Sequence, residues 1–85
     1  MRSIWKYPLK VTSAQDIEMP DGARILSVQM QGEQPCLWAE VDPNQVRERR
    51  KFFVAATGGP APERAQYLGT FQNGAFVGHV YESIA

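Results

Sequence analysis

The chain has 85 residues, nine basic and nine acidic side chains, one cysteine, and 44% hydrophobic residues. That is the length of one domain and the composition of a folded one, so a single domain over residues 1–85 is expected. Charge neutrality removes the basic excess of a general nucleic-acid binder. A lone cysteine removes an intramolecular disulfide, and no apolar run approaches the roughly 20 residues of a membrane-spanning helix.

Residues 3 to 11 alternate, with Trp5, Tyr7, Leu9 and Val11 on the apolar side, as a half-buried strand requires. Pro8 cannot donate to a ladder, so this strand lies at a sheet edge or breaks there. Ile17-Glu18-Met19 is a second short strand. Pro20-Asp21-Gly22 then turns the chain, because proline fixes φ, aspartate bonds its own backbone and glycine accepts positive φ. From Ala23 to Gln31, Leu26, Val28 and Met30 face one way and Ser27, Gln29 and Gln31 the other. Gln31-Gly32-Glu33-Gln34 is a turn, and Cys36 to Val41 returns as the partner strand until Asp42-Pro43-Asn44 stops it.

Gln45 to Lys51 is the only stretch with helical character, and it carries the cations Arg47, Arg49, Arg50 and Lys51. Phe52 to Ala56 is continuously apolar and reads as a strand buried on both faces. Two glycines and two prolines between Thr57 and Arg64 make a loop. Asn73-Gly74 between apolar runs predicts a hairpin with those two residues at the centre of a type I′ turn. That register sets Phe71 opposite Phe76, Gly69 opposite Gly78 and Tyr67 opposite Val80 on one face. The other face carries Thr70 with Val77, Leu68 with His79 and Gln66 with Tyr81. The whole reads as an all-β fold: a small antiparallel sheet or sandwich of five to seven short strands with a C-terminal hairpin.

Paired glycines leave a trough between two side-chain pairs. Trp5 or Trp38, a second subunit or a ligand ring could fill it. A domain this small gains stability by burying a second face, so a homodimer or higher homo-oligomer is expected.

Catalytic constellations are absent. His79 is the only histidine, so no site can be built on paired histidines, and it reads as a hydrogen-bonded structural residue. Nothing in the spacing favours pairing it with Cys36, which reads as a buried, inert thiol. The nine acids are scattered. A non-enzymatic protein without metal or cofactor is expected.

The best binding candidate is Thr57-Gly58-Gly59, where consecutive backbone N–H groups can cradle an anion. Arg49, Arg50, Lys51 and Arg64 flank the same strand and loop, with Arg49, Arg50 and Arg64 the favoured cations, and Trp38, Tyr67 or Tyr81 could stack on a base. The ligand class is an anionic small-molecule nucleotide. Alternatively, a protein partner docks on an exposed sheet edge.

Several stretches also carry a likeness: Ile4-Trp5-Lys6-Tyr7-Pro8-Leu9, Ile17-Glu18-Met19-Pro20, Gly22-Ala23, Ile25-Leu26-Ser27-Val28-Gln29, Cys36-Leu37-Trp38-Ala39, Val41-Asp42-Pro43, Tyr67-Leu68-Gly69-Thr70-Phe71-Gln72, and His79-Val80 with Glu82. On these the chain resembles a small single-domain family of unknown function found in phages, prophages and their bacterial hosts. The family's Gly-Thr-Gly-His stretch stands here as Ala56-Thr57-Gly58-Gly59, without the histidine. The absence of a disulfide framework, a secretion signal and a membrane span makes a soluble, cytoplasmic protein the expectation, and the resemblance implies an accessory protein of phage or prophage origin. It would act against a host defence, by sequestering a nucleotide immune signal or by blocking a host defence protein.

Overall fold

The computed structural model describes residues 1–85 as seven strands with no helix. They are β1 (Ser3–Pro8), β2 (Gln15–Pro20), β3 (Arg24–Gln31), β4 (Gln34–Val41), β5 (Arg47–Ala56), β6 (Ala65–Asn73) and β7 (Phe76–Ser83). Two antiparallel sheets form, one ordered β1-β4-β3 and the other β2-β5-β7-β6. The inward faces meet in a core of Leu9, Met19, Val28, Leu37, Val41, Phe52, Val54, Phe71 and Val80, with the small residues Ala23 and Ala39 among them. The all-β expectation holds, and β1 with Pro8 lies at a sheet edge.

Local chemistry explains the turns. Ala23 N–H donates to the Pro20 carbonyl at 3.1 Å while Gly22 takes a φ of 78°. The β3–β4 hairpin closes through Gly32 and Glu33, with Gln31 opposite Gln34 as expected.

Three features of the sheets depart from the sequence pattern. A bulge between Ile25 and Ser27 turns Leu26 to solvent, so Ile25 takes its place beside Val28 against the core. Residues 47–51 are the first half of β5 and not a helical turn. Five cross-strand partners on β2, from Asp16↔Lys51 to Pro20↔Arg47, hold them extended, so a ladder overrides a weak local helical preference. Nor is Phe52–Ala56 buried on both faces. Phe52 and Val54 are buried, while Phe53 and Ala55 are half-exposed on the outer side.

The last hairpin differs in register. Asn73 pairs with Phe76, so Gly74 and Ala75 are the two turn residues. Only Gly74 has positive φ (62°), which suits a turn that needs glycine at its first central position; Asn73 is spared it. The shift of two residues keeps the face assignment but changes every partner. Phe71 lies opposite Gly78, and Gly69 opposite Val80. A second bulge between Tyr67 and Gly69 then moves Tyr67 to the outer face, opposite Tyr81.

The glycines are therefore not paired, and no open trough exists. A Cβ on Gly78 would lie 2.4 Å from Cζ of Phe71 and 3.0 Å from Cε2 of Phe76. A Cβ on Gly69 would lie 3.0 Å from Cβ of Val28. Neither Trp5 nor Trp38 fills these places. Gly78 makes room for the ring of its own cross-strand partner, and Gly69 lets β3 approach β6 where the two sheets meet.

Candidate functional site

Strand alternation decides which side chains share a surface. On the outer face of the four-stranded sheet, Phe53 of β5 faces Tyr81 of β7, and Tyr81 faces Tyr67 of β6. Three aromatic rings thus form one row across three adjacent strands, about 10 Å long at a strand spacing of ~4.8 Å. Tyr67 and Tyr81 meet edge to face, with centroids 5.5 Å apart and planes at 68°. Tyr67 is 52% exposed.

Along β5 from Phe53, the same outer face carries Lys51 and Arg49, opposite Asp16 and Glu18 of β2. Lys51 lies about 7 Å from Phe53 along the strand and Arg49 about 13 Å. Here β7 ends, and a concavity of 600 Å³ opens between β5 and the C-terminal residues. It is lined by Arg49, Lys51 and Ser83, with Arg50 and Glu82 at its inner side.

Arg50 is not a free cation. It alternates to the inner face, where its guanidinium donates to both oxygens of Glu82, at 2.5 and 2.8 Å, and to the Ala23 carbonyl at 2.7 Å. The Glu82 hydrogen bond raises the Arg50 pKa above its ordinary value, against the opposing effect of burial. The pair closes one end of the sandwich. Arg64 connects to the start of β6 with a φ of 51°, the one non-glycine residue in the left-handed region. Its carbonyl accepts from Ile84 N–H at 2.8 Å, which brings its backbone to the same end of the sheet.

Thr57, Gly58 and Gly59 lie at the opposite end. Gly59 N–H donates to the Ala56 carbonyl at 3.0 Å and Gly58 has a φ of 87°. The segment is a tight turn that uses one of the N–H groups an anion cradle would need. Arg49 and Ala56 are seven residues apart in one strand, about 23 Å, so a single mononucleotide cannot span both ends. Trp38 belongs to β4 in the other sheet, on the outward parity opposite to buried Leu37 and Ala39. The seven residues singled out in the sequence are thus spread over three places, and only Arg49, Arg50 and the Arg64 backbone share one end.

Thr57 has another role. Its hydroxyl lies 2.7 Å from Nε2 of His79, and Nδ1 of His79 lies 3.0 Å from the Thr70 hydroxyl. Thr70 in turn lies 2.5 Å from the Tyr67 hydroxyl. This chain of four groups runs across the outer face and ends on Tyr67, a member of the aromatic row. Cys36 is buried in the three-stranded sheet, on its outward parity, away from His79. The two do not form a pair.

The sequence offered Lys51 as a cation near the loop but did not place it with Phe53 and Thr70 on one surface. The signal was present: continuing the alternation of β5 back through the cations places Arg49, Lys51 and Phe53 on one side. The model of a family described as a domain of unknown function, DUF7352, matches residues 1–85. The chain belongs to that family. No curated protein and no solved structure matches it. Membership agrees with the expected single-domain family of unknown function and assigns no activity.

Proposed function

We propose that this protein is a non-enzymatic binding protein whose ligand is a nucleotide held on the outer face of the four-stranded sheet. The observation that carries the reading is the row Phe53–Tyr81–Tyr67 standing two residues from Lys51 and four from Arg49 on the same face. Aromatic rings offer a stacking surface worth about 1–3 kcal/mol per base. Cations about 7–13 Å along the strand are placed for phosphate, which is the reach of a nucleoside phosphate. Lys51 replaces Arg50 in this role, because Glu82 already neutralises Arg50. The finer reading, a phage or prophage accessory factor that sequesters a host immune signal, rests on the family resemblance described above.

Calorimetry with nucleoside monophosphates, cyclic oligonucleotides and cyclised ADP-ribose derivatives tests the proposal. Binding by at least one class, lost in Tyr81→Ala and in Lys51→Glu, is expected. Flat titrations across the panel would refute it.

A second reading has its own observation. β2 pairs with β5 only as far as Phe52, so the β2 side of Phe53–Ala56 is an unpaired edge. Beside it lies a mostly apolar groove of 320 Å³ against Pro60, Ala61 and Pro62. An extended peptide from a host defence protein could add there as a strand. Capture from host lysate at defined stoichiometry, abolished by a proline at Ala55, would favour this reading over the first.

A further inference from the structure

The Thr57–His79–Thr70–Tyr67 chain has a directional consequence. A hydroxyl carries one proton, and a neutral imidazole donates at one nitrogen and accepts at the other. With the proton of neutral His79 on Nε2, Nδ1 accepts from Thr70. Thr70 then accepts from Tyr67, whose proton points inward and whose outer side offers only lone pairs. Protonated His79 donates from both nitrogens to Thr57 and Thr70. The Thr70 proton, no longer held by Nδ1, is then free to turn to the Tyr67 oxygen, which lets the Tyr67 proton turn outward. Both arrangements fit the distances of 2.7, 3.0 and 2.5 Å.

We infer that the Tyr67 hydroxyl reads the edge of a ring stacked on Tyr81, and that His79, acting through Thr70, sets whether it reads as a donor. This rests on the outer face being the binding surface. The favoured ligand is a nucleobase presenting a carbonyl or ring-nitrogen acceptor toward β6. Its affinity increases as His79 becomes charged. Histidine is the side chain whose charge changes between about pH 5 and 8.

The charged surroundings leave the chain as the route of control. The direct neighbours of His79 across the sheet are Ala55 and Thr70. β6 contains no charged residue, and the other titratable groups nearby on the face are Tyr67 and Tyr81. On β5 the outward charges are Arg49 and Lys51, opposed by Glu18 and Asp16 of β2. The β5–β6 connection carries Glu63 and Arg64. Glu82 on β7 is engaged with Arg50 on the inner side. None of these hydrogen-bonds to the imidazole. His79 is a positioning residue, and Tyr67 is the group that touches the ligand.

The four nucleoside 5′-monophosphates are titrated by calorimetry at about pH 5 and about pH 8. The ratio of the two affinities is compared among the parent protein, Tyr67→Phe and His79→Gln. Comparing the same ligand across proteins cancels the ligand's own phosphate titration. For at least one acceptor-bearing base, the parent ratio should exceed that of both variants about fivefold, the effect of one hydrogen bond. In parallel, ring ¹⁵N shifts of His79 are recorded in the ligand-free protein. Tyr67→Phe and Thr70→Val should each change the balance of tautomers, because each removes a link. Binding with an unchanged ratio, or tautomers unmoved by both substitutions, overturns the inference and leaves the binding surface standing. No heat from any monophosphate in the parent protein at either pH overturns the inference together with its ligand class.

Discussion

Gly78→Ala is the sharpest test of the hairpin register. Gly78 does not occupy the left-handed region, so alanine meets no backbone strain there. Less unfolded-chain entropy alone would make the change stabilising by about 0.4–1 kcal/mol. Packing reverses the sign. The new Cβ would lie 2.4 Å from Cζ and 2.6 Å from Cε2 of Phe71, a ring only 3% exposed. The ring must move by about 1 Å within a filled core, and overpacking of this kind costs about 1–3 kcal/mol. A net loss of about 1–2 kcal/mol is expected, which lowers Tm by about 4–16 °C in a domain of this size. Total stability of roughly 4–13 kcal/mol leaves the variant folded and measurable. Urea unfolding followed by tryptophan fluorescence reads the loss as a shifted midpoint at unchanged slope. The cause is then isolated in the Phe71→Leu background, where the shorter side chain leaves room. Gly78→Ala should there cost less by about 1–2 kcal/mol, a coupling between contacting residues. Additive losses, or a Gly78→Ala variant as stable as the parent, would show that Phe71 does not lie over Gly78.

Three further outcomes concern the Arg50–Glu82 ion pair, Asp42 and Tyr7. The side chains of Arg50 and Glu82 are 18% and 15% exposed, so either Arg50→Met or Glu82→Leu alone should cost about 1–3 kcal/mol, below the range for fully buried pairs. The double variant should recover much of that loss, because neither charge is then left alone; thermal denaturation of all three reads it. Asp42 accepts from Asn44 N–H at 3.1 Å and from Nε2 of Gln45 at 3.4 Å, and these bonds, the first above all, hold its carboxyl below the ordinary aspartate value. Its contribution is therefore fully present above about pH 4 and fades as pH falls through the lowered folded value. Asp42→Asn should flatten the acid limb of the stability curve without altering the alkaline limb, as followed by denaturant midpoints across pH. Tyr7 works in the other direction: burial raises its phenol above the usual range, and its hydroxyl has no partner. Its neutral form stabilises the fold below about pH 10, and that contribution is lost as pH rises through the folded value. Tyr7→Phe should remove this alkaline loss.

Much of the architecture is written locally. Pro20-Asp21-Gly22 and Gly32-Glu33 are turns whichever sheet they join, because their φ requirements belong to the residues themselves. The alternation of Trp5, Tyr7 and Leu9 marks a half-buried strand, and Pro8 marks an edge. These features, with the absence of a sustained 3.6-residue apolar period, determine an all-β chain. Tertiary structure decided the rest. Residues 47–51 became strand because β2 offered a ladder, a partner about thirty residues away that no local window contains. The bulges at Leu26 and Leu68 each reverse the facing of the residues on one side of them, so Tyr67 changed faces through one unpaired residue. Single-residue shifts have little local signature, since the pleat looks alike in either register. The row Phe53–Tyr81–Tyr67 and its relation to Lys51 exist only through that long-range pairing, and so did the candidate site.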